Sequence, residues 1–338
     1  MAGVVGVVVL AGLWVGGSGA EAGEGLKVLA MPMRTDGPKS LDPAQGSTQY
    51  DNQACSQIYE TLLTFKYSSP RELEPLLLAE MPKRSTDGLT ISFRLREGVR
   101  FQDDACFAEG KGRLVTAEDV FYSLKRLADK RSGLKNWWLL DGVIKGFDEF
   151  KEAQNKALDE GRGFDYDAAV AGFVKRGDLE FDIVLNKPVY RFLYTLAQFQ
   201  TSVVPREAVE KYGADFAFKP VGTGPFKLDR WVPKQMLHLD RNPGYREVLY
   251  PAREAWSRED RRKRLDRAAG QRVPMVDRLE FTMFVQDQPM WLQFQAGNLG
   301  YTEVPNDYFE QGFDKRTREL KPELAAKGVS AHADLLLD

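Results

Sequence analysis

Residues 73–127 read LEPLLLAEMPKRSTDG (73–88), LTISFRLR (89–96), EGVRFQDDACFAEGKGRL (97–114) and VTAEDVFYSLKRL (115–127). The apolar run at Leu76–Leu78 gives way to Ser85, Thr86, Asp87 and Gly88, and Asp-Gly ahead of a periodic segment marks a tight turn. Leu89, Ile91, Phe93 and Leu95 then alternate with Thr90, Ser92, Arg94 and Arg96, which predicts a strand with one face on a core and the other in water. A polar loop containing glycine follows. It ends at Thr116-Ala117-Glu118-Asp119, a capping box with Asp in the third helical position, and Val120, Phe121, Leu124 and Leu127 fall on one helical face. The unit is turn, half-buried strand, loop and capped amphipathic helix, as in an α/β protein. No catalytic residue type is needed anywhere in it.

Outward from this stretch the same grammar continues. Leu26–Met33 (LKVLAMPM) reads as a first core strand, and a helix is expected from about Asp51 to Leu63, carrying Tyr59-Glu60 near its end. Gly146–Asp165 is charged and helical. Leu179–Leu185 alternates with period 2 and is stopped by Pro188. Tyr190–Ala197 predicts a helix, Val203–Arg206 a short return strand or turn, Val276–Val285 a strand and Met290–Gly300 a helix. Trp137 and Trp138 are adjacent and cannot share one face of a regular element, so one of them is expected to be partly exposed. Residues 253–267 (REAWSREDRRKRLDR) interleave basic and acidic side chains, which predicts the solvated face of one helix rather than a nucleic-acid patch. In Val221-Gly222-Thr223-Gly224-Pro225-Phe226, the two glycines permit torsions and close approaches that a side chain would block. The Lys-Ser/Thr ending of a phosphate loop is absent there, so nucleotide binding is not expected.

The residues carry a family resemblance. LEPLLLAEMP, STDGLTISFRLREGVRF and VTAEDVFYSLKRLAD resemble the signature region of the family 5 extracellular solute-binding proteins, the oligopeptide- and dipeptide-binding proteins of bacterial ABC importers. LDPAQGSTQYDNQACSQIYETL (41–62) resembles the family's opening. Val221–Leu228 with Arg241-Asn242-Pro243-Gly244-Tyr245 resembles its GTGPF turn and RNP-x-Tyr segment. The resemblance implies a periplasmic-binding-protein-like (class II) α/β fold of two lobes: lobe I at 21–284 with a small subdomain inserted at about 66–174, then the start of lobe II at 285–338. Gly297-Asn298-Leu299-Gly300 lacks the acids that family members often carry at that point. Family members continue through lobe II, so a C-terminally truncated product is expected, one that would not close on ligand. By the same resemblance Ser47, Thr48 and Gln49 stand at the cleft wall, and Trp137 and Trp138 lie where aromatic residues touch ligand. Thr223 and Gly224 form the turn facing the cleft, and Tyr245 stands near the hinge. The implied ligand is a peptide, and the implied partners are the importer's permease subunits in the inner membrane, with the binding protein a monomer. Other branches bind nickel complexes, oligosaccharides or opines, and the sequence leaves these open.

Composition is that of a soluble globular protein. A chain of 338 residues exceeds the usual single core, and 47 Lys and Arg against 49 Asp and Glu give no reason to expect nucleic acid or an anionic membrane surface as partner. Gly3–Gly17 (GVVGVVVLAGLWVGG) is apolar, too short for a comfortable membrane span, and followed by Ser18-Gly19-Ala20. It reads as a signal peptide over residues 1–20, and no Cys follows for a lipid anchor, so the periplasm is the expected compartment. A Val-rich buried strand is the other reading of that run. Cys55 and Cys106, an even count in an exported chain, permit one disulfide worth about 3–4 kcal/mol; alternatively Cys55 is a small core residue and Cys106 a loop thiol. His238 and His332 are far apart, without a metal-ligand pattern, and no metal or cofactor is expected. A secreted hydrolase using Asp103, Asp104 or Glu118 would need two carboxylates facing one pocket. Binding without catalysis is the reading the residues favour.

Overall fold

The structure, a computed structural model, describes residues 5–11, 25–262 and 264–335. The chain forms two compact units from interleaved segments: residues 1–37, 228–241 and 274–338 in the first, and 38–227 with 242–273 in the second. In chain order the strands are β1 (Val5–Ala11), β2 (Val28–Arg34), β3 (Leu63–Lys66), β4 (Ser69–Pro75), β5 (Lys83–Arg84), β6 (Thr90–Arg94), β7 (Phe173–Lys175), β8 (Glu180–Val184), β9 (Phe226–Val232), β10 (Met236–Arg241), β11 (Val248–Leu249), β12 (Arg272–Val273), β13 (Arg278–Phe284), β14 (Tyr301–Glu303) and β15 (Val329–Leu335). The α-helices are α1 (Gln49–Ile58), α2 (Ala117–Ala128), α3 (Phe147–Asp159), α4 (Phe192–Thr195), α5 (Arg206–Tyr212), α6 (Arg258–Arg262), α7 (Asp287–Gln295), α8 (Phe309–Gly312) and α9 (Pro322–Ala326).

In the first unit the expected strands at Leu26–Met33 and Val276–Val285 meet. β2 and β13 run parallel, β10 joins antiparallel, and the sheet order is β2-β13-β10-β9. Leu237, Leu239, Leu279 and Phe281 point into its core, as period-2 alternation requires. Met290, Trp291 and Phe294 of α7 form a second core with Leu299, Phe313 and Leu324. The lobe boundary expected near residue 284 falls inside this unit. Val5–Ala11, expected within the signal, pairs in the full chain as a strand between β14 and β15. Ser18, Gly19 and Ala20 lie outside the described residues.

The second unit is built on the organising stretch. Ser85–Gly88 turns as expected, with Gly88 at φ +74° and its N–H donating to the Ser85 carbonyl at 2.9 Å. β6 then pairs antiparallel with β8, setting Ile91 opposite Ile183 and Phe93 opposite Phe181, in the order β5-β6-β8-β7. Residue 174 therefore does not end this layer. Phe93 stacks on Phe181 with centroids 5.0 Å apart, and Phe121 of α2 meets Phe181 edge-on at 5.4 Å while stacking on Phe173 at 4.8 Å. The Thr116–Asp119 capping box is formed.

α2 departs from expectation on its polar side, because Lys125 and Arg126 are buried with the apolar stripe. Lys125 donates to the carbonyls of Tyr166 (2.7 Å) and Ala168 (3.0 Å). Arg126 makes a bidentate pair with Asp42 at 2.9 and 2.7 Å, the two residues 5% and 1% exposed. Burial alone would pull the Arg126 guanidinium down, yet the Asp42 carboxylate holds it above its ordinary value.

Three further expectations are corrected. The helix of residues 51–63 starts two residues earlier and stops at Ile58, because Gly224 N–H takes the Ile58 carbonyl at 2.8 Å and Tyr59 turns extended. Residues 253–267 are not one helix: 3₁₀ turns flank the five-residue α6, with Lys263 outside the described residues. The expected disulfide is not formed. Cys55 is buried on α1 with its Sγ toward the Ser40 carbonyl, whereas Cys106 sits half-exposed in a turn, where burial and the Asp104 side chain push its thiol up to about 12.

A buried ion pair costs most when half of it is removed, since the remaining charge is left without a partner. Arg126→Met is therefore expected to lower stability by about 3–5 kcal/mol. The double change Arg126→Met with Asp42→Asn should cost less than the sum of the two singles. Urea unfolding of all four proteins in a double-mutant cycle checks this, and strict additivity would contradict it.

Candidate functional site

The residues expected at the site gather at the two ends of α1, which at about 1.5 Å per residue puts the groups roughly 15 Å apart. At its N-terminus Thr48 is the cap. Its Oγ1 accepts the Asp51 N–H at 3.1 Å, and Asp51 Oδ2 accepts the N–H groups of Thr48 and Ser47 at 2.9 Å each. Asp51 Oδ1 accepts from the Lys39 and Ser40 backbones at 2.7 and 3.2 Å. One buried carboxylate thus straps two loop segments to the helix. Burial would raise its pKa, but the Ser47, Thr48 and Lys39 N–H groups outweigh it and hold the group below its ordinary 3.8.

This strap leaves the Ser47 and Gln49 side chains exposed. The preceding turn is tied to the tryptophan pair, because Asn136 donates to the carbonyls of Ala44 (3.0 Å) and Gly46 (2.9 Å). Trp137 is buried, donating its indole N–H to Asp141 at 2.8 Å and meeting Phe147 edge-on at 5.1 Å. Trp138 is 69% exposed. One buried and one open indole is the outcome that adjacency dictated. Ser47 and Gln49 are thus open to solvent at the N-terminus of α1, and Trp138 is open two residues beyond the Asn136 that ties the preceding turn.

At the other end of α1, Glu60 is 3% exposed and gathers three donors. The Thr223 hydroxyl donates at 2.9 Å, the Tyr245 hydroxyl at 3.1 Å and Arg246 at 2.6 Å. Burial and the nearby carboxylate push the Tyr245 phenol up, while Glu60 outweighs burial to keep Arg246 raised. Gly222 and Gly224 lie flat against the last turn of α1: a Cβ would come within 2.1 Å of the Ile58 oxygen or 2.6 Å of the Ile58 carbonyl carbon. Neither has positive φ, so the requirement is close approach. Thr223, Gly224 and Tyr245 are thus brought together around a carboxylate that sequence reading had noted only as half of a Tyr-Glu pair.

The carboxylates considered for hydrolysis have other work. Asp104 accepts from the Tyr212 hydroxyl (2.6 Å) and the Cys106 N–H (2.8 Å), Asp103 pairs with Lys111 at 2.7 Å, and Glu118 pairs with Lys175 at 3.3 Å. Among the described residues no group of three or more His, Cys, Asp and Glu could hold a metal ion.

Asp51 carries a pH signature. Its folded pKa is lowered, so its stabilisation is complete above its unfolded value of 3.8 and is lost as pH falls through the folded value. Asp51→Asn is expected to cost about 3 kcal/mol at pH 7, because Asn offers a single neutral acceptor to four N–H donors. Denaturant midpoints measured from pH 7 down to pH 2 should show the gap between wild type and variant narrowing below pH 4. A gap constant with pH would contradict the strap.

Comparison with known proteins follows this geometry. A sequence model for bacterial extracellular solute-binding proteins, family 5 Middle, matches residues 72–330, over three quarters of the chain. The glutathione-binding protein GsiB of Escherichia coli O1:K1 is 28% identical over 206 residues, which is 61% of this chain and 33% of GsiB. Among solved structures, a periplasmic oligopeptide-binding protein (OppAIV) of Borrelia burgdorferi superposes with a TM-score of 0.64 at 21% identity, covering 84% of this chain and 49% of that one. The periplasmic binding protein DppA of Helicobacter pylori, solved with the peptide STSA, does so at 0.56 and 24% identity over 80% and 45%. These likenesses establish the fold, α/β of the periplasmic-binding-protein type. The chain spans about one third of that curated relative and under half of each solved chain. The family binds solutes for ABC importers and does not transform them, and this chain belongs to the family 5 extracellular solute-binding proteins.

Proposed function

We propose that the protein is the peptide-recognising component of an ABC-type importer, holding peptides between two lobes and delivering them to permease subunits of the inner membrane as a monomer. The single observation that carries this reading is the surface at the N-terminus of α1. There a buried carboxylate fixes the backbone while leaving the Ser47 hydroxyl and the Gln49 amide outward, and Asn136 ties the preceding turn to the segment that carries the exposed Trp138 indole. Hydroxyl and amide groups can exchange hydrogen bonds with a peptide backbone whatever its side chains, and an open indole supplies a flat apolar contact. Micromolar affinity requires about −8 kcal/mol, within reach of a few such contacts once water is displaced. The curated relative is named for glutathione, itself a peptide, and supports the choice of peptide; among the structural neighbours one holds the peptide STSA and another the opine mannopinic acid, so the fold serves both ligand classes.

Thermal unfolding of the protein with added peptides tests the proposal. A mixture of di-, tri- and tetrapeptides should raise the midpoint, since ligand at 100 times Kd adds about 2.7 kcal/mol. Trp138→Ala should weaken peptide affinity about fivefold and leave the ligand-free midpoint unchanged, because an exposed ring contributes little to folding. A shift with an opine or oligosaccharide and none with any peptide would reassign the ligand.

We also propose export to the periplasm by the segment 1–20. A signal's apolar run and a strand's apolar run satisfy the same composition, so the pairing of β1 is compatible with a leader that is later removed. Intact-mass measurement of the protein from the periplasmic fraction should give a chain beginning at Glu21. A product that retains Val5–Ala11 would assign that run to the mature fold instead.

A further inference from the structure

The segment 257–268 of the second unit carries charge that its own acids do not neutralise. Arg258, Arg261, Arg262, Arg264 and Arg267 are all exposed, and none has a carboxylate partner among the described residues. The neighbouring acids are committed elsewhere. Asp260 accepts from the Ser257 backbone (3.3 Å) and hydroxyl (2.6 Å), Asp266 bridges Arg253 at 3.2 Å, and Glu259 is engaged as well. The alternation of signs that suggests a neutral solvated face in the sequence is thus undone by the fold.

An aromatic ladder is joined to this segment at Leu265. Tyr250 donates its hydroxyl to the Leu265 carbonyl at 3.1 Å, stacks on Trp256 at 5.5 Å and meets Tyr67 at 5.7 Å. Tyr67, Leu249 and Leu265 remain exposed around it. Five free guanidinia beside exposed tyrosine and leucine side chains make a basic and apolar surface of the kind that settles at a charged membrane interface. A folded protein partner fits such a surface less well. The core of such an interface is depleted in charge and shape-matched, and this segment consists of one short helix between 3₁₀ turns with arginines along it.

We propose that residues 257–262 and 264–268, with Leu249 and Tyr67, form a docking surface for anionic phospholipid headgroups, holding the protein against the bilayer. This does not depend on which solute the protein carries. The test is sedimentation of the full chain with vesicles of phosphatidylcholine alone and with phosphatidylglycerol added. The apolar residues 3–17 can partition into either, so the readout is the ratio of anionic to neutral binding. That ratio should exceed 10 in 20 mM salt and collapse in 500 mM salt, where the Debye length is only a few ångströms. Each Arg→Gln change among the five should lower the anionic partition coefficient about fivefold. With all five changed to Gln the preference for anionic vesicles should vanish, and Arg261→Gln with Arg262→Gln provides a milder variant should that chain fail to fold. Circular dichroism and the thermal midpoint report whether the variants keep the fold. A ratio near 1, or one unmoved by these changes, overturns the proposal. So does competition by inorganic phosphate at matched ionic strength, which would mark a site for discrete anions.

Discussion

The second unit hangs on one buried contact, the bidentate pair between Arg126 on α2 and Asp42 in the Leu-Asp-Pro turn. Two charges removed from water gain little over an apolar pair of the same shape, so the pair is better explained by what it specifies than by net stability. It fixes the turn to a helix that is itself packed on the β6–β8 sheet. From that turn the chain runs directly into the strap at Asp51. Asp42 also accepts the Ala44 N–H at 3.1 Å, and its carbonyl receives the N–H groups of Gln45 and Gly46. Three N–H groups of this excursion, those of Ala44, Gln45 and Gly46, are thus referred to one anchored residue.

α1 then transmits position. Its first turn is held by Asp51, and its last is clamped by the glycine turn that approaches Ile58 too closely for any side chain. A helix pinned at both ends keeps the exposed residues at one end in register with the Glu60 cluster at the other. The buried carboxylate at Glu60 would be costly alone, and three donors satisfy it. The cluster is therefore a joint, tying α1 to residues 223 and 245–246, and the open surface lies at the opposite terminus.

Much of this was legible in the residues. The alternation of Leu89–Leu95 and of Leu179–Leu185 gave two strands that do pair, and the Thr116–Asp119 box gave the start of α2. The same spacing stands at Thr48 and Asp51 and marks the start of α1, although reading the apolar pattern alone placed that start later and ran the helix on to Leu63. What stops it is the carbonyl capture by Gly224, a contact made across 166 residues of chain and invisible to any local pattern. The same limit explains α2. Arg126 reads as a solvent-facing residue by periodicity, and only the fold supplies the carboxylate that buries it. Site residues divided likewise: adjacency predicted one open tryptophan, but nothing local said which of the two would be Trp138. Thr223 and Tyr245 were picked out separately, as a turn residue and a residue of the RNP-x-Tyr segment, and their shared partner Glu60 stood unremarked beside Tyr59.

The residues by which the family is recognised are mostly those that packing and hydrogen bonding immobilise. Asp42, Glu60, Gly222, Thr223, Gly224 and Asn242 are buried or in close backbone contact, and changing any of them leaves an unpaired polar group or a steric clash. Ser47, Gln49 and Trp138 face outward, where the fold places few demands on their identity. A scaffold that separates the two kinds of residue so cleanly can keep its architecture while its exposed surface changes. Relatives named for a tripeptide such as glutathione and for longer peptides can therefore share one frame. Constraint and exposure meet at α1, whose buried caps hold its exposed end in one place.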